Sequence, residues 1–381
     1  MIKNKEFRRI YVIQVLLAVA DATGMSFMML FAVKSGFRLE QILLATTLAF
    51  GTPVLLIALM RRARAKLSFC FAFAAKIAAY LVALAGLGAI SINFVYVSNA
   101  LVLVFFWIPY NLEFFSYVGE KTRAYSGSIA VAVYPFVNFL IPPAAAYLWA
   151  AHGFRANMLA AIAVLLATSA YVILNRAIRF RTFDYRIADS LKRLRRYRTV
   201  FLLQGIWEAS IFVGVPAFTL LFITSEVRLG AFFSYLGLLS MLATVALARL
   251  SDRTSNRTAF LYPTVVLAAC ATMGLSLATS AAVWVGLVGV LNFANIMVTP
   301  FLTSVALDAG ITGIDMWAGR ELLLNLGRSL GSALILVTYS RLHDYRPVFL
   351  VLGSCLVLYA VVLHAKRIYP SAKIVPSQPA R

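Results

Sequence analysis

The chain has 381 residues, 62% of them hydrophobic and 13% charged, with 35 Lys and Arg against 14 Asp and Glu for a formal charge of +21. Soluble domains are nearer half apolar and a quarter charged, so the composition excludes a soluble enzyme, a disordered tail and a coiled coil. Three scattered cysteines (Cys70, Cys270, Cys355) and three scattered histidines (His152, His343, His364) form neither a disulfide framework nor a zinc-ligand cluster, so no metal and no cofactor is expected.

A helix needs about 20 apolar residues to cross the hydrocarbon core. Twelve stretches qualify: 10–33, 39–60, 67–88, 91–110, 124–150, 154–175, 199–223, 228–248, 259–280, 282–307, 318–340 and 346–365. Their continuous apolar character and length do not suit barrel strands, which alternate and are half as long. The first run is too long for a signal-peptide core and contains Asp21.

In chain order, Arg8 and Arg9 lead into the first stretch, followed by Gln14 and, seven residues on, Asp21 on the same helix face. Asp21 falls near mid-bilayer, where an ionised acid costs about 2.5–3.5 kcal/mol. It must face a cavity, pair with a base or be protonated, and burial disfavours the ionised form. Lys76 on the third stretch, with Tyr80 one turn on, is also deep, as a structural partner or as a functional base. The fourth ends in Trp107-Ile108-Pro109-Tyr110-Asn111. Tyr134, Pro135 and Asn138, with Pro142-Pro143, mark the fifth as a kinked helix.

A basic segment, 176–198, divides the chain into 1–175 and 199–366, with a tail at 367–381. Its stretch from Leu191 to Arg198 reads as a short surface helix with a basic face. The second half repeats the first weakly: Arg195, Arg196 and Arg198 lead to Gln204 and, four residues on, Glu208, deep in the seventh stretch. Asn292 and Asn295 share a face of the tenth, where amides orient a polar solute or join helices. Glu321, Asn325 and Arg328 form one stripe on the eleventh. Arg328 cannot deprotonate, and its fork suits either an anionic solute or an acid of the bundle.

The termini and the even-numbered loops hold 27 of the 35 basic residues, the opposite loops hold six, and Lys76 and Arg328 are the two inside. The positive-inside rule therefore places both termini in the cytoplasm, in a bacterial-type cytoplasmic membrane. Attraction to anionic headgroups accounts for the charge without nucleic acid. The chain has no G-x-x-x-x-G-K-[ST], G-x-S-x-G or H-E-x-x-H run, so no self-contained ATPase and no enzyme is expected.

The loop after the eighth stretch, Ala248-Arg249-Leu250-Ser251-Asp252-Arg253-Thr254-Ser255-Asn256-Arg257, resembles the signature G-x-L-a-D-R-x-G-R-K/R of the major facilitator superfamily. Leu250, Asp252, Arg253 and Arg257 match it, whereas Ala248 and Ser255 replace its glycines. The loop of the first half, Met60 to Lys66, keeps the basic charge and lacks the acid. The resemblance implies an all-α integral membrane protein with twelve transmembrane helices in two six-helix bundles around a central cavity, working as a monomer by alternating access. Gln14, Trp107, Asn111, Tyr134, Asn138, Gln204, Asn292, Asn295, Asn325 and Arg328 would line that cavity. Asp21 and Glu208 would carry a coupling proton or another cation. Asp252, Arg253, Arg257 and Glu321 would serve the gate, with Asp252 at the start of the eleventh helix near Gly319. The expected activity is secondary transport of a small solute. Proton-coupled efflux of an amphipathic compound comes first, followed by movement of an anionic metabolite or lipid flipping on the same fold. A membrane-embedded transferase or a scaffold is the alternative outside transport.

Overall fold

The computed structural model describes residues 5–86, 88–116, 123–175, 182–251, 258–308 and 313–368. Among them, ten helices are long and apolar enough to cross a bilayer, and an apolar helix over Leu261–Leu277 is shorter. One further helix, Arg123–His152, has 30 residues. Each of the twelve apolar stretches read from the sequence overlaps helix among the described residues.

The first half runs α1 (Lys5–Thr23), α2 (Met28–Lys34), α3 (Leu39–Leu59), strand β1 (Arg62–Arg64), α4 (Ala65–Ala85), α5 (Ala89–Val102), α6 (Ile108–Ser116), α7 (Arg123–His152) and α8 (Phe154–Leu174). The linker holds β2 (Thr182–Asp184) and α9 (Ile187–Arg193). The second half runs α10 (Arg198–Ala209), α11 (Val215–Thr219), α12 (Glu226–Ser251), α13 (Thr258–Gly274), α14 (Ala281–Asp308), α15 (Ile314–Leu342) and α16 (Arg346–Ala365).

Three crossings are interrupted in ways that matter for the site. Between α1 and α2 the chain passes Gly24 and a 3₁₀ turn, Met25–Phe27. A Cβ at Gly24 would lie 2.8 Å from the Tyr80 ring, so the glycine leaves room for that ring beside the turn. A π-helical turn, Leu103–Trp107, joins α5 to α6, and a second, Ser210–Gly214, joins α10 to α11. Such turns re-aim side chains and gather at functional sites.

The halves meet along two seams, α3 against α15 and α7 against α12. Small residues make the second seam close: a Cβ at Gly237 would sit 2.5 Å from the Phe139 backbone nitrogen. Away from the linker, Lys34 pairs with Glu226, and His343 Nδ1 lies 3.9 Å from Glu40 Oε1, both across the halves. Phe27 meets Phe233 edge-on at 6.0 Å between ring centres. An apolar cavity of about 40 Å³ lies on this boundary, between Met29 and Leu30 on one side and Leu220, Phe232 and Phe233 on the other.

At the opposite end the linker engages both halves. β2 pairs antiparallel with β1, with Arg62 opposite Asp184, and Arg62 Nε donates to Asp184 Oδ1 at 2.7 Å. The Tyr185 hydroxyl donates to the Ile57 carbonyl at 3.1 Å. α9 then packs on the start of α15, where Arg193 Nη1 lies 3.2 Å from Asp315 Oδ2 and Ser190 Oγ donates to Asp315 Oδ1 at 3.2 Å. The expected surface helix over 191–198 is displaced toward the amino terminus. Helix stops at Arg193, and the chain turns through 194–197 with Leu194 and Tyr197 buried and the arginines beside them exposed.

Candidate functional site

In each half an acid on the first crossing meets a base from another helix. On α1, Asp21 is against Nζ of Lys76 on α4, and Lys76 donates its hydrogen bond to Asn99 Oδ1 on α5. Lys76 is 2% exposed, so its ammonium depends on these two partners. The Tyr80 hydroxyl, one turn along α4, donates to the Ala20 carbonyl at 3.4 Å. Three helices thus converge where α1 ends, beside Gly24.

The second cluster is larger. Arg328 on α15 places Nη2 at 2.6 Å and Nε at 2.7 Å from Glu208 Oε2 on α10. Gln204 Nε2, one turn back on α10, donates to Glu208 Oε1 at 2.8 Å, so both carboxylate oxygens are occupied. Arg328 Nη1 lies 3.7 Å from Glu321 Oε2 and donates to Asn325 Oδ1 at 3.3 Å. Glu321 Oε1 in turn accepts from Arg320 Nη1 at 2.9 Å. The two acids and two bases balance, and their side chains are between 7% and 12% exposed. The Phe212 ring, on the π-helical turn, lies 5.2 Å beneath the Arg328 guanidinium, where a cation is favoured.

Backbone contact brings these residues together. A Cβ at Gly205 would fall 2.3 Å from the Leu324 carbonyl, and one at Gly327 would fall 2.4 Å from the Leu202 carbonyl. With glycine at both places, α10 and α15 touch backbone to backbone, which sets Glu208 opposite Arg328. Three buried polar atoms on these elements and the π-helical turn, Gln204 Oε1, Ser210 Oγ and Arg320 Nε, have no hydrogen-bond partner among the described residues. Unpartnered polar atoms are costly inside a membrane protein and mark where a polar ligand or water would settle.

The other sequence-derived candidates are spread more widely. The Gln14 side chain accepts from the Tyr110 hydroxyl. Trp107 lies on the π-helical turn before α6, 5.6 Å edge-on from Tyr110 and 6.1 Å from Tyr134 of α7. Asn111, Tyr134 and Asn138 are half-buried on α6 and α7. Asn292 spends both amide hydrogens on α12, donating to the Leu236 carbonyl at 2.9 Å and to Ser240 Oγ at 2.7 Å. Asn295 Oδ1 accepts from Thr299 on its own helix at 3.3 Å. Asn325 is fully buried and also donates to the Glu321 carbonyl at 2.7 Å. Asp252, Arg253 and Arg257 lie outside the described residues. The face of Gly319 is occupied by the linker, since a Cβ there would meet Leu194 at 2.6 Å.

Sequence reasoning passed over Asn99 and Arg320. Asn99 gave no signal, being one amide in an apolar run. Arg320 was counted among the loop charges, although it is 7% exposed and partners Glu321. The signal available was its position next to Glu321, at the head of the polar stripe.

No protein-family model matches the sequence, and no curated protein sequence matches it. Solved structures match in fold. A bacterial homologue of the iron transporter ferroportin, in an outward-facing state with soaked iron, is 13% identical with a TM-score of 0.67, over 95% of this chain and 99% of that one. The fucose:proton symporter of E. coli is 11% identical with a TM-score of 0.64, over 94% and 98%. The human organic anion transporter MFSD10 is 16% identical with a TM-score of 0.63, over 95% and 100%. At these identities the likeness is one of fold: the chain has the major facilitator fold over nearly its whole length.

Proposed function

We propose that this chain is a secondary transporter that moves a small organic solute by alternating access, coupled to protons, with both termini in the cytoplasm. The observation that carries the reading is the buried, charge-balanced cluster around Glu208 and Arg328, next to a π-helical turn that places Phe212 against the guanidinium, with unpartnered buried polar atoms on the same elements. A charge pair used only for stability has no need of such a place, because apolar side chains of equal size serve as well or better.

The coupling follows from the pairing. Proton arrival at Glu208 removes the partner that holds Arg328 and leaves a guanidinium free to turn toward a solute or toward Glu321. Asp21 and Lys76 are the corresponding pair of the first half. The mostly apolar spans with few fixed charges favour an amphipathic solute, and export is the direction that fits a compound entering from the bilayer. A second reading, transport of an organic anion, is favoured by the planar fork of Arg328 once Glu208 is neutral. The gate is assigned to the signature loop, Asp252, Arg253 and Arg257, together with Glu321.

The test begins with a thermal-shift screen of amphipathic cations and organic anions at two pH values, and the hits go to proteoliposomes holding a pH-sensitive dye. Solute-dependent proton movement is expected, and Glu208→Gln is expected to abolish it while the protein stays folded. Transport at the wild-type rate and with wild-type proton movement in Glu208→Gln and in Asp21→Asn would overturn the coupling.

A further inference from the structure

We propose that the groove lined by Arg193, Arg195, Arg196 and Lys366, at the linker end of the second half, binds the phosphate of an anionic phospholipid headgroup. The groove is open and has a volume of about 520 Å³. It lies beside the starting residue of one apolar helix, Arg198–Thr219, and the last residue of its neighbour, Arg346–Ala365. That position is the depth at which two adjacent crossings leave the hydrocarbon, where headgroups lie.

The lining is fixed without being neutralised. Arg196 donates from Nε to the Lys366 carbonyl at 3.2 Å and from Nη2 to the Arg367 carbonyl at 2.9 Å, closing the end of α16. Lys366 Nζ donates to the Arg196 carbonyl at 3.2 Å and to Thr199 Oγ1 at 3.3 Å. All four acceptors are uncharged, so both cations are held in place with their charge intact. The Arg195 side chain has no partner among the described residues, and only Arg193 meets an acid, Asp315, at 3.2 Å. The lining contains no Asp or Glu, and neither does the sequence from 367 to 381. Buried Leu194 and Tyr197 anchor the turn that displays the arginines, so little ordering remains to be done on binding. Clustered arginine forks at a membrane boundary suit phosphate oxygens, and basic pockets between transmembrane helices take anionic headgroups.

The inference is independent of what the protein transports. The test uses the purified full-length chain in neutral detergent, with native mass spectrometry counting bound phosphatidylglycerol and bound phosphatidylcholine. Wild type is expected to retain phosphatidylglycerol selectively. Arg195→Glu changes two charge units in the groove and should weaken that retention about thirtyfold. Arg195→Lys should keep most of it. Arg155→Glu, an exposed reversal outside the groove, should change nothing, and melting temperatures confirm that each variant is folded. Equal retention by wild type and Arg195→Glu, or equal retention of the two lipids, would overturn the site. Displacement of phosphatidylglycerol by inorganic phosphate at equal concentration would overturn the lipid assignment and leave a free-phosphate site.

Discussion

Glu208 and Arg328 illustrate how a single contact decides the chemistry available to this protein. With both carboxylate oxygens accepting and the guanidinium shared with Glu321 and Asn325, neither member is free to meet a solute until the other changes state. Removing one partner of such a buried pair strands the other, at a cost of about 3–5 kcal/mol, whereas replacing both is far milder. Glu208→Leu should therefore lower the melting temperature in detergent more than Glu208→Leu combined with Arg328→Met, and a double variant less stable than the single would show that the pair is structural ballast for α10. Spacing in the sequence put Gln204 with Glu208, and Glu321 with Asn325 and Arg328, on their respective helix faces, because helical periodicity is local. That the two faces meet was not legible, since it depends on how α10 and α15 pack. The same holds for Lys76: its depth was legible and its partners, Asp21 and Asn99, were not.

The glycines that join α10 to α15 set the geometry of the whole cluster at the scale of the element. Gly327 comes within 2.8 Å of the Gly205 Cα by its absent Cβ, and Gly331 sits against the Ile206 carbonyl in the same way at 2.6 Å. Neither neighbour is the tip of a flexible side chain, so a larger residue must push the helices apart. Gly327→Val should lower folded yield and melting temperature and should also abolish proton-coupled flux. Gly286→Ala on α14, where a Cβ meets nothing within 4 Å, should leave all three unchanged. Normal stability in Gly327→Val would mean that the seam yields more easily than a backbone contact can. The glycines were present in the sequence, but a glycine in an apolar helix does not say whether it faces lipid or a neighbour. The linker teaches a related lesson. Its basic composition suggested one amphipathic helix over 191–198, yet α9 ends at Arg193 and the arginines are displayed on a turn that Leu194 and Tyr197 anchor.

Taken as a whole molecule, the chain ties its halves together at both ends, and at the linker end the described residues show a tie that the loop resemblance did not name. The first-half loop, Met60 to Lys66, lacks an acid of its own, and the linker supplies one: Asp184 sits opposite Arg62 in the β1–β2 pair. The linker then grips the second half through Ser190 and Arg193 on Asp315, at the first turn of α15, where the helix dipole also favours an acid. Opening this end requires one of these grips to let go. Both ion pairs are screened by solvent, Arg62 and Asp184 being 73% and 62% exposed and Arg193 64%, which leaves the Arg193–Asp315 pair at most about 1 kcal/mol. That is still enough to move a balance between two states about fivefold. Asp315→Asn should therefore shift the protein toward opening at the linker end. Spin labels at Arg61→Cys and Arg367→Cys, in a background without Cys70, Cys270 and Cys355, report that end, and labels at Arg38→Cys and Arg228→Cys report the other. The linker-end distances should lengthen in Asp315→Asn, and the far-end distances should not. Asp184→Asn should act in the same direction through the other grip. Linker-end distances unchanged by either substitution would show that the strap follows the halves and does not hold them.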